Sequence, residues 1–288
     1  MMSKIVGIFV CMLLLFSFGT MAEQIDSENM PEITSFSDDV PEWHVGDSWT
    51  YTIDDFTVDF VFDSQKIFIE GSIDDFKWTV KDTSGDIYRV EFTGEFNGRY
   101  EIFLSSSSGK FDIVGTVQDT LTNLNGEIIF TQSDLEIRDI SGELKGITWG
   151  KISPLPFSLP LPFKATIDGD LSTDFPLFDF PLYVPKFWNF PEMQATMRIR
   201  AGGIFGLIQI PMSISVNYPW IPLAFHCRDQ RDINVEAGTF DAYEISSLFG
   251  QFFEYYYAPT VGNLIKIDAT MDNGDVHGEL KSFDWAGQ

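Results

Sequence analysis

Apolar and polar residues alternate along most of this chain, and that alternation limits its possible folds more than any other feature. Residues 76–80 and 88–92 alternate in this way, and the pattern recurs at 99–102 and 197–201. The longest example places five apolar residues two positions apart: Ile208, Ile210, Met212, Ile214 and Val216. Successive residues of a strand lie on opposite faces of a sheet, so a period of two is typical of strands with one buried face. No stretch combines helical spacing with helix caps, and residues 192–199 suit a strand better. The sequence therefore predicts an all-β fold.

Residues that favour turns separate the alternating stretches. They are Ser-Gly-Asp at 84–86, Asn-Gly at 97–98 and 125–126, Ser-Gly at 141–142 and Asn-Gly-Asp at 273–275. Asn-Gly between apolar alternations predicts a hairpin, because both central positions of the tight turn need a positive φ. Tight hairpins join antiparallel neighbours, so we expect antiparallel strands throughout the chain.

The first 22 residues predict export from the cytoplasm. Lys4 precedes an apolar run over residues 5–18, and small residues lead on to Ala22. A secretory signal peptide typically has a positive charge, an apolar run of about 14 residues and small residues before the cleavage position. A membrane-spanning helix needs about 20 apolar residues. We expect cleavage after Ala22, a flexible acidic tether over 23–40, and an extracellular or cell-envelope location. An uncleaved N-terminal anchor is the alternative.

The charge balance excludes nucleic acid as a partner. The chain has 43 acidic and 18 basic residues, which give a formal net charge of −25. Phosphate binding needs a basic face, and the sequence shows none. Aromatic residues make up 15% of the chain, so folding can bury enough apolar area to offset the chain entropy. No stretch has the composition of a multi-span membrane protein.

The sequence contains no familiar catalytic, nucleotide-binding or metal-binding motif. Cys227 is the only cysteine after the predicted leader, so we expect no internal disulfide and a buried, unreactive thiol. His226 precedes it, but neighbours on a strand lie on opposite faces and cannot form one site. We interpret the acidic residues at 168–170 and 272–275 as solvated turn residues, with a calcium site as the alternative. The sequence thus predicts a protein without catalytic residues, metal or cofactor.

Residues 153–191 differ from the rest of the chain, since they hold eight of the 14 prolines and seven of the 28 phenylalanines. The first four of these prolines all fall on even positions: Pro154, Pro156, Pro160 and Pro162. Alternate N–H groups of a strand point the same way, so this segment is either an edge strand or an extended polyproline-like linker. It separates a first β domain over 41–152 from a second over 184–288, with a Pro/Phe-rich joint over 153–183. We expect two tandem curved sheets, each half-barrel or sandwich-like.

Two aromatic stretches are candidates for the lining of an apolar ligand site. One is the Pro/Phe-rich stretch at 153–191, and the other is 249–257, which holds six Phe and Tyr residues. Aromatic residues on both faces of a strand need cover on both sides, from the protein core or from a ligand. The predicted ligand-lining residues are Phe157, Phe163, Phe180, Trp188, Phe253, Tyr255 and Tyr257. Ordinary core packing is the alternative for each of them.

Three stretches together resemble uncharacterised exported β-rich proteins of archaeal and bacterial envelopes. They are W-H-V-G-D-S-W-T-Y at 43–51, A-G-T-F-D-A-Y at 237–243 and Y-A-P-T-V-G-N-L-I-K at 257–266. The last two are also similar to the curved antiparallel half-barrel of lipoprotein-carrier proteins. This resemblance implies a concave sheet that accepts acyl chains or another apolar ligand, and it implies no catalytic residue.

These observations predict an exported, non-enzymatic protein that binds an apolar or amphipathic, lipid-like ligand. The alternative is a structural or adhesive cell-surface protein whose partner is another envelope protein. A third hypothesis is an enzyme that uses Asp or Glu residues, and two buried carboxylates in a cleft would favour it.

Overall fold

The computed structural model describes residues 40–62, 65–106, 109–152, 158–189, 193–203, 208–218, 224–248, 252–271, 274–285 and 287. Several predictions concern residues outside these ranges: the signal peptide, nearly all of the tether, Pro154, Pro156 and Phe157. Strands make up most of the described chain. It contains no helix, and therefore no helix long and apolar enough to cross a membrane. The all-β prediction is confirmed.

Fourteen strands follow one another along the described residues. The first six are long: β1 (Ser48–Phe62), β2 (Gln65–Asp82), β3 (Ile87–Ser106), β4 (Gly109–Thr131), β5 (Ile137–Ile152) and β6 (Ser158–Phe175). The later ones are shorter: β7 (Lys186–Asn189), β8 (Met193–Gly203), β9 (Ile208–Tyr218), β10 (Ala224–Val235), β11 (Gly238–Ser247), β12 (Phe252–Ala258), β13 (Asn263–Met271) and β14 (Gly274–Asp284).

All of these strands belong to one antiparallel sheet. Their order is β7-β10-β11-β12-β13-β14-β1-β2-β3-β4-β5-β6-β8-β9. The predicted antiparallel pairing is confirmed, but the two tandem sheets are joined into one, because β1 pairs with β14. Alternation reveals which face of a strand is apolar, whereas it contains no information about which strands meet edge to edge. The proposed domain boundaries therefore stay a prediction.

Only part of the predicted turn set is found. Ser84-Gly85-Asp86 joins β2 to β3, as expected, and Gly274 begins β14 after residues outside the described ranges. The predicted turns at 97–98, 125–126 and 141–142 are wrong, since these residues lie inside β3, β4 and β5. Glycine is required at Gly98 and Gly126 because neighbouring rings lie against the backbone: a Cβ at Gly98 would stand 2.8 Å from the Phe96 ring, and one at Gly126 would stand 2.3 Å from the Phe92 ring. Glycine within a strand often marks such a close approach.

A line of pairing irregularities, here called the bulge line, crosses four neighbouring strands. The irregularities lie beside Ile53 in β1, between Asp74 and Lys77 in β2, between Glu95 and Gly98 in β3, and between Val117 and Thr122 in β4. Bulges bend a strand and increase its twist. The bulge line therefore separates an inner section, which contains the packed core, from an outer section comprising 57–62, 65–72, 98–106 and 109–117.

The Pro/Phe-rich joint forms part of the sheet. Pro160 and Pro162 of β6 pair with β5 on one side, whereas β8 pairs with β6 from Phe163 onward. Within the described residues the proline-bearing end of β6 thus has a partner strand on one side. That arrangement agrees with the edge-strand interpretation, because proline cannot donate a ladder hydrogen bond.

The buried core lies on one face of the inner section. It includes Trp49 and Phe92 from the first half of the sheet and Tyr255 and Leu264 from the second half. Residues 176–185, here called the crossover segment, run from β6 to β7, which occupy distant places in the strand order. Three of its side chains are buried in the same core: Leu177, Phe178 and Leu182. The crossover segment therefore covers the core face of the curved sheet.

The first and third of the resemblance motifs pack against each other. The Trp43 indole donates a 2.9 Å hydrogen bond to the carbonyl oxygen of Gly262, and the Trp49 indole donates one of 2.9 Å to that of Val261. The Tyr51 hydroxyl donates to the carbonyl oxygen of Leu264 at 3.0 Å. Buried indole and phenol groups need such partners. These motifs therefore fasten the beginning of the described chain to its end.

Candidate functional site

Five of the seven predicted lining residues lie in one aromatic cluster. Its members come from the crossover segment, β7, β10 and β12: Phe178, Phe180, Trp188, Phe225, Phe253, Tyr255 and Tyr257. Ring centroids are 5.4 Å apart for Phe180 and Tyr257, and 5.8 Å apart for Trp188 and Phe225. The first pair is edge-on and the second is stacked, and rings in such arrangements attract one another beyond simple area burial. The structure thus brings the joint and the 249–257 stretch together.

The aromatic cluster is closed to solvent. The exposed fractions of Trp188, Phe253, Tyr255 and Tyr257 are 6%, 5%, 0% and 2%. The Tyr255 hydroxyl donates to the carbonyl oxygen of Leu177 at 2.6 Å, and burial raises its pKa well above the usual value, so the phenol stays neutral. In this conformation the cluster is core, the alternative that the sequence left open. Its role as a ligand lining stays a prediction.

Lys186 holds the crossover segment over this cluster. Its ammonium group donates to the carbonyl oxygens of Asp179 and Pro181, the latter at 2.9 Å, and lies 3.3 Å from the Asp179 carboxylate. Only about a tenth of the side chain is exposed. A buried ammonium group is tolerated only with such partners. Sequence reasoning missed this residue, because a lysine two positions before a predicted lining tryptophan gave no sign of burial.

The other two predicted residues are not in the aromatic cluster. Phe157 lies outside the described residues. Phe163 belongs to β6, where it is paired with Gly146 of β5 and Gly203 of β8. It therefore belongs to a part of the sheet far from β12 in the strand order.

Phe163 belongs to a set of transverse rows on one face, here called the apolar rows. The first row crosses the four strands of the outer section and continues onto β5: Phe60, Ile67, Ile102, Ile113 and Ile152. The second is Val58, Ile69, Tyr100, Gly115, Gly150 and Leu159. A third group joins Phe163 to Gly203 and Ile208. Residues opposite one another on antiparallel strands share a face, so the register places these residues on one face of the sheet.

The opposite face of the outer section is more polar. Glu70 and Arg99, which are paired across β2 and β3, form an ion pair of 3.0 Å, and the Arg99 guanidinium lies 5.5 Å from the Phe68 ring centroid. Ile69, the neighbour of Glu70, is partly buried against the core. The apolar rows are therefore continuous with the core face. Sequence reasoning found the alternation in several of these strands, but the rows depend on the register between strands.

Cys227 is buried, as expected. Desolvation raises its pKa from 9.0 to about 12, so the thiol remains protonated at neutral pH. His226 lies on the other face, where its ring stacks on Phe187 with centroids 4.1 Å apart, and burial lowers its pKa. The two side chains do not form a common site. A protonated thiol without a base is a poor nucleophile.

Two buried carboxylates lie on the non-core face of β11 and β12. Glu244 is 1% exposed, and its carboxylate is 2.6 Å from Arg231 and 2.8 Å from Arg228. Glu254 is 8% exposed and accepts a hydrogen bond from Tyr256. Two guanidinium groups neutralise Glu244, which is typical of a structural ion cluster. The sequence showed a glutamate within an aromatic run and predicted cover on both faces of that run, but it could not show that Arg228 and Arg231 pair with Glu244.

Of the acidic residues considered for calcium, those at 168–170 lie in a strand, whereas Asp272 lies outside the described residues. Asp168 and Asp170 lie within β6, paired with Ser141 and Asp139 of β5, so their interpretation as turn residues is wrong. The local Asp-Gly-Asp pattern is typical of turns, but pairing on both sides keeps it extended. Among the described residues, no group of three or more His, Cys, Asp or Glu side chains is placed to hold a metal ion.

No protein-family model matches this chain, and no curated protein matches it. Among solved structures, the chain is similar to the "Beta-barrel-like Protein of Domain of Unknown Function DUF1849 from Brucella abortus". The likeness covers 84% of this chain and 99% of that chain, at 9% sequence identity and a TM-score of 0.28. The all-β description of this protein is based on its own strand pairing.

Proposed function

We propose that this protein is a non-enzymatic carrier or receptor that binds an apolar or amphipathic, lipid-like ligand on the apolar rows of its outer section. The observation that carries the proposal is the first row, in which five consecutive strands contribute Phe60, Ile67, Ile102, Ile113 and Ile152. The predicted signal peptide supports an exported or envelope location for this activity.

The apolar rows cover a large area of the sheet. Strands lie about 4.8 Å apart, so five neighbouring strands span roughly 19 Å across the sheet. Each residue rises about 3.3 Å, so nine residues, the length of 98–106 in β3, span roughly 30 Å along the strands. That area is about the size of the largest apolar patches on soluble monomers, and such patches often mark binding sites. A sheet that is apolar on one face needs a second layer there. We propose that acyl chains supply this layer.

The test is organic extraction of the natively produced protein, followed by mass spectrometry. We expect a lipid-like molecule in stoichiometric amount. Ile113→Asn should lower the amount extracted several-fold, because it places an amide within the first row. Val114→Asn is the matched control, since it makes a similar change on the adjacent residue of β4, which lies on the opposite face.

An empty extract from folded protein would contradict the proposal, as would equal loading of the two variants. If the empty protein is a dimer that Ile113→Asn dissociates, a second copy provides the missing layer. That result would support the structural alternative. Light scattering after gel filtration distinguishes the two cases.

A further inference from the structure

A second candidate site lies on the polar face of the sheet, at the bulge line. It is a cavity of about 750 Å³, here called the polar groove. Its lining includes the side chains of Thr50, Lys77, Thr93, Glu95, Asn123 and Asn125. Cavities of this size are typical of small-molecule sites, but most of those are lined mainly by apolar groups. The lining of the polar groove therefore indicates a hydroxyl-rich or charged ligand.

Strand register explains how these residues meet. Thr50 of β1 is paired with Lys77 of β2, Lys77 with Thr93 of β3, and Thr93 with Asn125 of β4. Their chain neighbours Trp49, Trp78 and Phe92 are buried in the core on the other face. The polar groove is thus on the opposite face from the core and the apolar rows. It is independent of the proposed lipid site.

The backbone at the bulge line shapes the polar groove. Asp75 has a φ of +48°, a left-handed conformation that is uncommon outside glycine. Its carboxylate accepts a 2.9 Å hydrogen bond from Lys281 of β14. Bulges of this kind redirect side chains locally. The result is a concave surface on a face that a regular sheet would leave flat.

The charged side chains around the polar groove are paired, but those central to it are not. Lys81 pairs with Glu91 at 3.0 Å, Lys145 pairs with Glu143, and Arg89 pairs with Glu127. Within the described residues, the side chains of Lys77 and Glu95 make no ion pair or hydrogen bond with the protein, although both line the same groove. Their polar groups are therefore available to a ligand.

We propose that the polar groove binds an uncharged saccharide. Each sugar hydroxyl both donates and accepts hydrogen bonds, and the groove offers both kinds of partner side by side. The Lys77 ammonium donates, the Glu95 carboxylate accepts, and the Asn123 and Asn125 amides do both. Hydrogen bonds to charged groups are stronger than neutral ones. An uncharged ligand also avoids repulsion from a chain whose net charge is −25.

The groove has the extent of a short oligosaccharide site. Its lining residues come from β14, β1, β2, β3, β4 and β5, which are consecutive in the sheet. At about 4.8 Å between strands, these six strands span roughly 24 Å. A ligand that lies across the strands would contact the row Thr50, Lys77, Thr93 and Asn125 along its length.

The experiment is calorimetric and NMR titration of the full mature chain with maltotriose, cellotriose and N-acetylchitotriose. We expect at least one trisaccharide to bind and to shift the resonances of Thr93 and Asn125. Lys77→Met and Glu95→Ala should each weaken that binding about tenfold, the effect of losing one charge-assisted hydrogen bond.

The matched controls are Lys81→Met and Glu91→Ala, which alter the same residue types on the same face of the same two strands, outside the groove. They should leave the affinity unchanged within about twofold. The proposal is overturned if none of the three trisaccharides binds. It is also overturned if the control variants weaken binding as much as the groove variants.

Discussion

Single residues join the two ends of the described chain. Gly262 has a φ of +66°, and its carbonyl oxygen accepts the hydrogen bond from the Trp43 indole. The Trp285 ring lies against its α-carbon, where an added Cβ would be 2.7 Å from the ring. Glycine is needed here both for its left-handed backbone and for the close approach of the ring. A one-residue change at this turn therefore affects contacts between the two ends of the described chain.

Gly262→Ala tests that dual requirement, and Gly85→Ala is its control. Gly85 also has a positive φ, +76°, but has open space where a Cβ would stand. We expect Gly85→Ala to lower the free energy of unfolding by about 1 kcal/mol, from backbone strain alone. Gly262→Ala should cost about 2–4 kcal/mol, because the Trp285 ring must also move. Urea denaturation measures both, and equal losses would contradict the role assigned to Trp285.

At the scale of elements, the crossover segment determines whether the aromatic cluster is core or an open site. Phe178 and Phe180 from this segment contact Tyr257, and the Leu177 carbonyl oxygen accepts the hydrogen bond from Tyr255. Lys186 fastens the same segment through two carbonyl oxygens. Both the crossover segment and 249–257 are visibly aromatic in the sequence. The sequence could not predict that the crossover segment covers 249–257.

Lys186→Met should loosen the crossover segment. The variant keeps a long apolar side chain but leaves the carbonyl oxygens of Asp179 and Pro181 without their donor. We expect the free energy of unfolding to fall by about 1–3 kcal/mol, the usual cost of unsatisfied polar groups. Hydrogen exchange of residues 176–185 should become faster as well. Lys164→Met, which removes a half-exposed partner of Glu143, is the control and should cost less than about 1 kcal/mol. Unchanged exchange in Lys186→Met would show that aromatic packing alone holds the segment.

At the scale of the whole molecule, one continuous sheet joins the two predicted β domains. β14 lies beside β1, and the Trp49 indole donates to the carbonyl oxygen of Val261 across that junction. The second region is also covered by Leu177, Phe178 and Leu182 of the crossover segment, which lie in the predicted joint. Neither region therefore contains all the partners of its own strands.

Separate expression of the two regions tests the domain division. We expect residues 184–288 alone to give a poorly dispersed NMR spectrum, because β14 lacks its β1 partner and Tyr255 lacks the carbonyl oxygen of Leu177. The chain 41–288 should give a well-dispersed spectrum under the same conditions. A folded 184–288 fragment would instead establish the predicted second domain as an independent unit.

The sequence by itself determined the secondary structure class and the faces of individual strands. Alternation at 76–80 and 208–216 is a local property, because a strand places successive residues on opposite faces whatever its neighbours are. The burial of Cys227 was predictable from residue type alone, since free cysteine is among the most buried residues. Only the tertiary structure decided the pairing of β1 with β14, the extended conformation of Asn97-Gly98 and the rows that cross the outer section. These features depend on edge-to-edge register and on partners that lie 219 positions away or more, and the local pattern of a strand is the same whichever partner it meets.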